Sequence, residues 1–298
     1  MPTVPANPGS LHESLRYLNW VFNPLQSLDV VQVYDLLSTR APTAQGLWLN
    51  LGYWRDAQTL DDACVAMADL LAERAGMGSA DAVLDVGFGF ADQDLRWAQQ
   101  QGPRSITGLN ITASQVAVAR ARVAALGLGE RIDLREGSAT AMPLPDAAFD
   151  VVTALECAFH FDTRERFFAE AFRVLRPGGR LVVADILPMP TAGGWGARLK
   201  QRLSWAMVAG KFPIPKENIY TREGYAARLA ACGFGGVQVD SIRDQVYGPL
   251  HRSLYRDRAP VERLHPLLRL TANLTLLMDA ATIYQGLDYV LAVAHKPA

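Results

Sequence analysis

Between residues 80 and 186 short apolar runs alternate with helical repeats, and this alternation leaves the chain very few folds. Ala82–Val86 is apolar apart from Asp85 and runs into glycines, as a buried parallel strand does. Ser105–Leu109, a weaker Ile132–Leu134, Phe149–Leu155 and Arg180–Ile186 follow as strands two to five. Thr112 with Gln115 reads as a capping box that opens a helix to about Leu126, where Gly127 stops it. Asp162 with Glu165 opens another, which ends at Leu175 before Pro177-Gly178-Gly179. Such alternation requires right-handed crossovers and a parallel sheet covered on both faces. A helix near 221–232, a strand Val237–Ile242, an apolar helical stretch near 266–285 and a last strand Tyr289–Ala294 bring the strands to seven. Residues 1–80 read as helical with a Pro-punctuated start, and 187–220 as an irregular segment around an amphipathic stretch.

Composition narrows the class. The 298 residues include 29 Lys plus Arg and 30 Asp plus Glu, so a net charge of −1 offers no electrostatic footprint for nucleic acid or an anionic membrane. No run of about 18 apolar residues is present, so no membrane span is expected. The start shows no basic segment followed by an apolar run, so no signal peptide is expected. Cys64, Cys157 and Cys232 fit neither a disulfide framework nor a paired metal pattern. A reducing, cytoplasmic setting follows as the expectation. No His/Asp/Glu cluster points to a required metal.

Val83-Leu-Asp-Val-Gly-Phe-Gly-Phe-Ala91 carries the most chemistry. Open α/β sheets bind ligands just beyond the C-terminal ends of their strands, and two glycines there allow a tight turn and close ligand approach. The dinucleotide fingerprint would need glycine at position 92, where the chain has Asp92, with Asp94 close behind. Two carboxylates should repel a pyrophosphate from that helix end. No G-K-[ST] phosphate loop is present. A ligand without phosphate and with some positive charge fits better, and S-adenosylmethionine, with its sulfonium and amino group, is such a ligand.

Four segments in order, D-V-G-F-G-F-A at 85–91, L-N-I-T-A-S-Q at 109–115, P-L-P-D-A-A-F-D at 143–150 and R-V-L-R-P-G-G-R-L at 173–181, resemble the class I S-adenosylmethionine-dependent methyltransferases. The resemblance implies a doubly wound, Rossmann-like α/β sheet of order 3-2-1-4-5-7-6 with an antiparallel seventh strand. It implies an N-terminal helical lid at 1–80, a cofactor-binding domain at 81–298 and a substrate cap inserted at about 187–220. By the same resemblance Asp85, Gly87 and Gly89 face the methionyl part of the cofactor. Asn110 reaches the ribose hydroxyls in place of the usual acidic residue, with Gln115 in the same motif. Ile111 packs on the adenine, Ser138-Ala139 faces its amino group, and Leu155 stands beside the methyl group. Tyr53 and Trp54, in N-L-G-Y-W at 50–54, resemble the lid. The product would be S-adenosylhomocysteine.

Methyl transfer from a sulfonium is an in-line displacement, so the protein must chiefly align the acceptor and exclude water. A hydroxyl acceptor also needs a base, for which histidine is suited near neutral pH. His160 follows strand four and Asp185 ends strand five, so both are expected in one cleft. With A-L-E-C-A-F-H-F at 154–161, this looks like the natural-product sugar and macrolide O-methyltransferases, where a histidine and an aspartate at these places are the proposed bases. Glu156 is a candidate for substrate binding or for pairing with a nearby cation, and Trp195, Trp205, Phe212 and Tyr220 for a roof over an apolar small-molecule acceptor or, equally, for a dimer contact. The alternative is C-methylation of an isoprenoid or lipid chain, whose carbocation aromatic faces and Glu156 could stabilise. The helical stretch near 266–285 is open to packing on the core or on a second subunit of a homo-oligomer.

Overall fold

The computed structural model describes residues 11–22, 28–37, 41–210 and 212–298. The remaining residues, 1–10 of the signal-peptide reading and parts of the expected lid and cap, lie outside the described residues. Seven strands form one sheet: β1 Ala82–Val86, β2 Ser105–Asn110, β3 Ile132–Glu136, β4 Phe149–Leu155, β5 Leu175–Pro188, β6 Gly235–Ser241 and β7 Leu287–His295. Their order is β3-β2-β1-β4-β5-β7-β6. The first five pair in parallel and β7 runs antiparallel to both neighbours, as the motif order implied.

The helices are α1 Leu11–Phe22, α2 Val30–Leu37, α3 Leu60–Ala75, α4 Asp92–Gln100, α5 Ala113–Ala125 and α6 Arg164–Val174. After β5 come α7 Trp195–Val208, α8 Arg222–Ala231, α9 Arg243–Arg256, α10 Ala259–Glu262, α11 Pro266–Leu276 and α12 Ala280–Ile283. Local chemistry sets several ends. Thr59 and Asp62 cap α3 reciprocally, and Gly76 closes it in the left-handed region at φ 55°. The capping box expected at Thr112 does not form: Thr112 makes no side-chain cap bond, and Gln115 Oε1 accepts from Asn110 Nδ2 at 2.8 Å. The amphipathic stretch after β5 is the regular helix α7.

Alternate residues of the central strands enter two cores. Val83, Ile106, Val151 and Val182 face α3, α4, α5 and α9. Leu84, Val86, Leu109, Val152 and Val183 face α6 and α8. A third cluster joins Tyr17 and Trp20 of α1, Val33 and Leu36 of α2, Leu267 and Leu268 of α11, and Phe212. The stretch near 266–285 is therefore two helices, and α11 packs on the N-terminal helices of its own chain. No described helix is long and apolar enough to cross a membrane.

Phe167, fully buried on α6 against Phe161 and Phe168, fills the core below the β4–α6 connection. Phe167→Ala should destabilise the fold by about 3–5 kcal/mol, read as a lowered midpoint in urea unfolding. A loss near zero would mean that this core repacks freely.

Candidate active site

β1 and β4 lie side by side and end at the same level, with Val86 opposite Ala154. Past these ends the chain leaves a cavity of about 380 Å³, within the range of small-molecule sites. Its floor is the glycine loop. Gly87 at φ 73° and Gly89 at φ 58° adopt the left-handed region that glycine enters without strain. A Cβ on Gly87 would stand 2.6 Å from the Cys157 side chain. The Gly87 amide donates to the Leu109 carbonyl at 2.7 Å, which ties the loop to the end of β2.

Of the residues singled out from sequence, Gly87, Gly89, Asn110, Ile111, Gln115, Ser138, Ala139, Leu155, Glu156 and His160 line this cavity. Five do not. Asp85 lies wholly buried behind the loop, accepting from Thr153 Oγ1 at 2.8 Å and from Gln93 Nε2 at 3.0 Å. It is Gln93 that reaches the lining. Tyr53 packs on the core beside α3, and the residues before it that face the cavity are Leu47, Trp48, Leu49 and Asn50. Trp195 is 82% exposed to solvent, and Trp205 packs against the core under β7. Among the four residues expected to roof the acceptor, Phe212 alone stands against His160, at 5.9 Å between ring centroids.

Asp185 is the main correction. Its carboxylate is fully buried and accepts from Arg164 Nε at 2.8 Å and from Tyr225 at 3.2 Å, and it takes no part in the lining. The partner Arg164 lies 21 residues upstream on α6 and is itself 1% exposed. A buried carboxylate is satisfied by a buried cation in preference to a neutral histidine. Removing either partner alone would leave an unpaired buried charge, a loss on the order of 3–5 kcal/mol.

His160 is oriented by other groups. Its Nδ1 lies 3.0 Å from the Pro213 carbonyl, which can only accept, so Nδ1 carries the proton. Nε2 then presents its lone pair, and the Tyr34 hydroxyl from α2 donates to it at 3.1 Å. Burial pushes the imidazole down to about 4, so it is neutral near pH 7. Tyr34 and Pro213 had no motif to announce them in the sequence.

The electrostatics are one-sided. Asp29, Asp92, Glu156 and Asp162 line the cavity, and no Lys or Arg does so among the described residues. Asp92 forms a two-pronged pair with Arg122, at 2.7 Å for each oxygen, so its charge is largely offset. Burial and the neighbouring Asp85 raise the Asp94 carboxyl well above the usual range, which disfavours its charged form. The repulsion of pyrophosphate expected from Asp92 and Asp94 is thus weakened, and what disfavours phosphate is the missing cation. Glu156, strained at φ 52°, accepts from the Leu51 amide at 2.7 Å and the Tyr289 hydroxyl at 2.5 Å. Burial pushes it up to about 7 against those two bonds. A glycine cradle, an apolar Ile111 at 49% exposure, amide groups of Gln93 and Gln115, and uncompensated acid fit a cationic nucleoside without phosphate. Among the described residues no group of three His, Cys, Asp or Glu side chains is placed to hold a metal ion.

Comparison with known proteins places this geometry in context. A methyltransferase domain family matches residues 84–183. Erythromycin 3''-O-methyltransferase of Saccharopolyspora erythraea is 37% identical over 265 residues, 86% of this chain and 85% of its own. The 27-O-demethylrifamycin SV methyltransferase of Amycolatopsis mediterranei is 35% identical over 54% of this chain and 59% of its own. Among solved structures the 4+2 cyclase SpnF superposes with a TM-score of 0.67 at 25% identity, covering 91% of this chain and 98% of that one.

Two outcomes follow from the cavity. Gly87→Ala should weaken S-adenosylmethionine binding at least about tenfold in a calorimetric titration, because the added methyl clashes with Cys157, which lines the cavity, and strains φ. Unchanged affinity would move the ligand away from this loop. Glu156 gives a pH signature. Between its ordinary value of 4.5 and about 7 the folded chain holds a proton that the unfolded chain has released. Stability contributed by this group therefore falls as pH rises through that window and is flat above it. In urea unfolding, Glu156→Gln should gain on the wild type from about pH 5 to about pH 8; a difference that does not change with pH would refute the assignment.

Proposed function

The chain belongs to the S-adenosylmethionine-dependent methyltransferase family, and on that premise we propose that it methylates a hydroxyl of a small, largely apolar secondary metabolite. The acceptor is of the natural-product class for which its relatives are named, erythromycin and 27-O-demethylrifamycin SV. S-adenosylmethionine, when bound, supplies the electrophilic methyl group on a cationic sulfur. Gly87 and Gly89 leave room for its methionyl part, Ile111 and Ala139 are apolar walls for the base, and Asn110 and Gln115 offer amides to the ribose. Glu156 balances the positive charge. Leu155 and Phe161 border the space in front of His160 and exclude water.

His160 is the base in this reading. The acceptor hydroxyl takes the place of the Tyr34 hydroxyl at Nε2, is aligned there, and gives up its proton to that nitrogen as its oxygen gains the methyl. Asp185 does not touch His160 and has no direct part. The observation that carries the reading is a cavity lined by acids, with no Lys or Arg among the described residues, that holds a neutral histidine whose Nε2 is an acceptor engaged only by the Tyr34 hydroxyl.

Replacing His160 by Ala should lower kcat for hydroxyl methylation by about a hundredfold or more, with S-adenosylmethionine affinity held within about threefold. Transfer of labelled methyl from the cofactor measures the first and calorimetry the second. Undiminished turnover would sink the base role and favour methylation at carbon, which needs no proton acceptor at the moment of attack.

A further inference from the structure

We propose that Asn218 is a positioning residue for the catalytic histidine, and that Asp185 and Arg164 act on the site through it; the idea rests on His160 being the base. Asn218 is 1% exposed and lies outside the cavity lining. Its amide donates to the carbonyls of Phe159 at 3.1 Å and of Phe161 at 2.8 Å, the two residues that flank His160 in the chain. Its Oδ1 accepts from the Arg164 backbone amide at 2.9 Å. Only one orientation of the amide satisfies these partners, because both carbonyls need a donor and the amide needs an acceptor. Its backbone carbonyl accepts from the Arg164 guanidinium, whose Nε is held by Asp185 at 2.8 Å and whose Nη2 donates to the Ile186 carbonyl at 2.9 Å.

The same short segment grips the histidine a second time. Pro213, five residues before Asn218, supplies the carbonyl that fixes the Nδ1–H tautomer. The Asn218 backbone N–H donates to the Pro215 carbonyl at 3.0 Å, which folds residues 215–218 into one turn. The 158–160 turn and the 213–218 segment are thus stitched together at Asn218, and the stitch is anchored to the end of β5 by the Asp185–Arg164 pair. Loosening Asn218 frees both the backbone that carries His160 and the carbonyl that orients its ring.

Asn218→Asp is the test. It keeps the size of the side chain and the acceptor for the Arg164 amide, but sets an oxygen against the carbonyls of Phe159 and Phe161. The protein, labelled with heavy nitrogen in its histidine rings, is compared with the wild type by NMR, the His160 signal being assigned by its loss in His160→Gln. In the wild type His160 should show the Nδ1–H tautomer alone. In Asn218→Asp it should become a mixture of tautomers, with kcat down at least about tenfold and KM for S-adenosylmethionine within about twofold. If Asn218→Asp fails to fold, Asn218→Ser, which keeps one donor, is read by the same spectrum. An unchanged tautomer overturns the proposal whether or not turnover falls, since a fall would then reflect general loosening. A mixed tautomer with undiminished turnover upholds the positioning role and instead refutes His160 as the base.

Discussion

A backbone turn that glycine alone makes without strain, Gly87 under the side chain of Cys157, opens the space on which the rest of the molecule depends. Any side chain there would meet Cys157 at 2.6 Å and close the mouth between β1 and β4. The parallel sheet sets the turn's position, because neighbouring strands end together and their loops share one crevice. The amide of Gly87, bonded to the Leu109 carbonyl, then ties the loop to the end of β2. Everything chemical in the protein is hung from the rim so formed: Asn110 after β2, Ser138 after β3, Leu155 to His160 after β4.

Charge and proton are handled by burial more than by pairing across the cavity. Buried carboxyls at Asp85 and Glu156 are each pushed up to about 7, and the histidine down to about 4, in each case chiefly by loss of water. The strongly ionic pairs, Arg122–Asp92 and Arg164–Asp185, serve as fasteners for loops. This division leaves the cavity receptive to positive charge and gives it one neutral nitrogen base. The fold by itself does not impose that chemistry, since a chain of 25% identity and nearly full coverage is a 4+2 cyclase. What sets this chain apart is the lining with its histidine and the 37% identity over 86% of its length to an O-methyltransferase.

The sheet was readable because each strand is a short apolar run closed by glycine, proline or a capping residue, and because the four motifs fixed their order. β3 alternates buried with exposed residues and β6 half-buried with exposed ones at the two sheet edges, so their apolar runs mark the strand ends less sharply. The helix α9 went unseen: Gly248 and Pro249 interrupt its pattern, although Val246, Tyr247 and Leu250 bury a face. In the site, the residues at strand ends were legible and those supplied from afar were not. Tyr34 reaches His160 across 126 residues and Asn218 reaches Phe159 across 59, and no local spacing records such contacts. Asp185 was misassigned for the same reason, since its partner Arg164 sits on a helix whose sequence reads as an ordinary solvated face. Trp195 and Trp205 were expected over the cleft from their place after strand five, but on α7 the first faces solvent and the second packs on the core.

The central claim is that this cavity holds a cationic sulfur nucleoside and delivers its methyl to oxygen. The most direct measurement follows an isotope-labelled methyl from S-adenosylmethionine into glycosylated macrolides bearing free hydroxyls, reading the bond it forms by carbon NMR. The account predicts a methyl ether, with one S-adenosylhomocysteine released per methyl transferred. Label found on carbon, or the cofactor bound with no methyl passed to any hydroxyl, would contradict it.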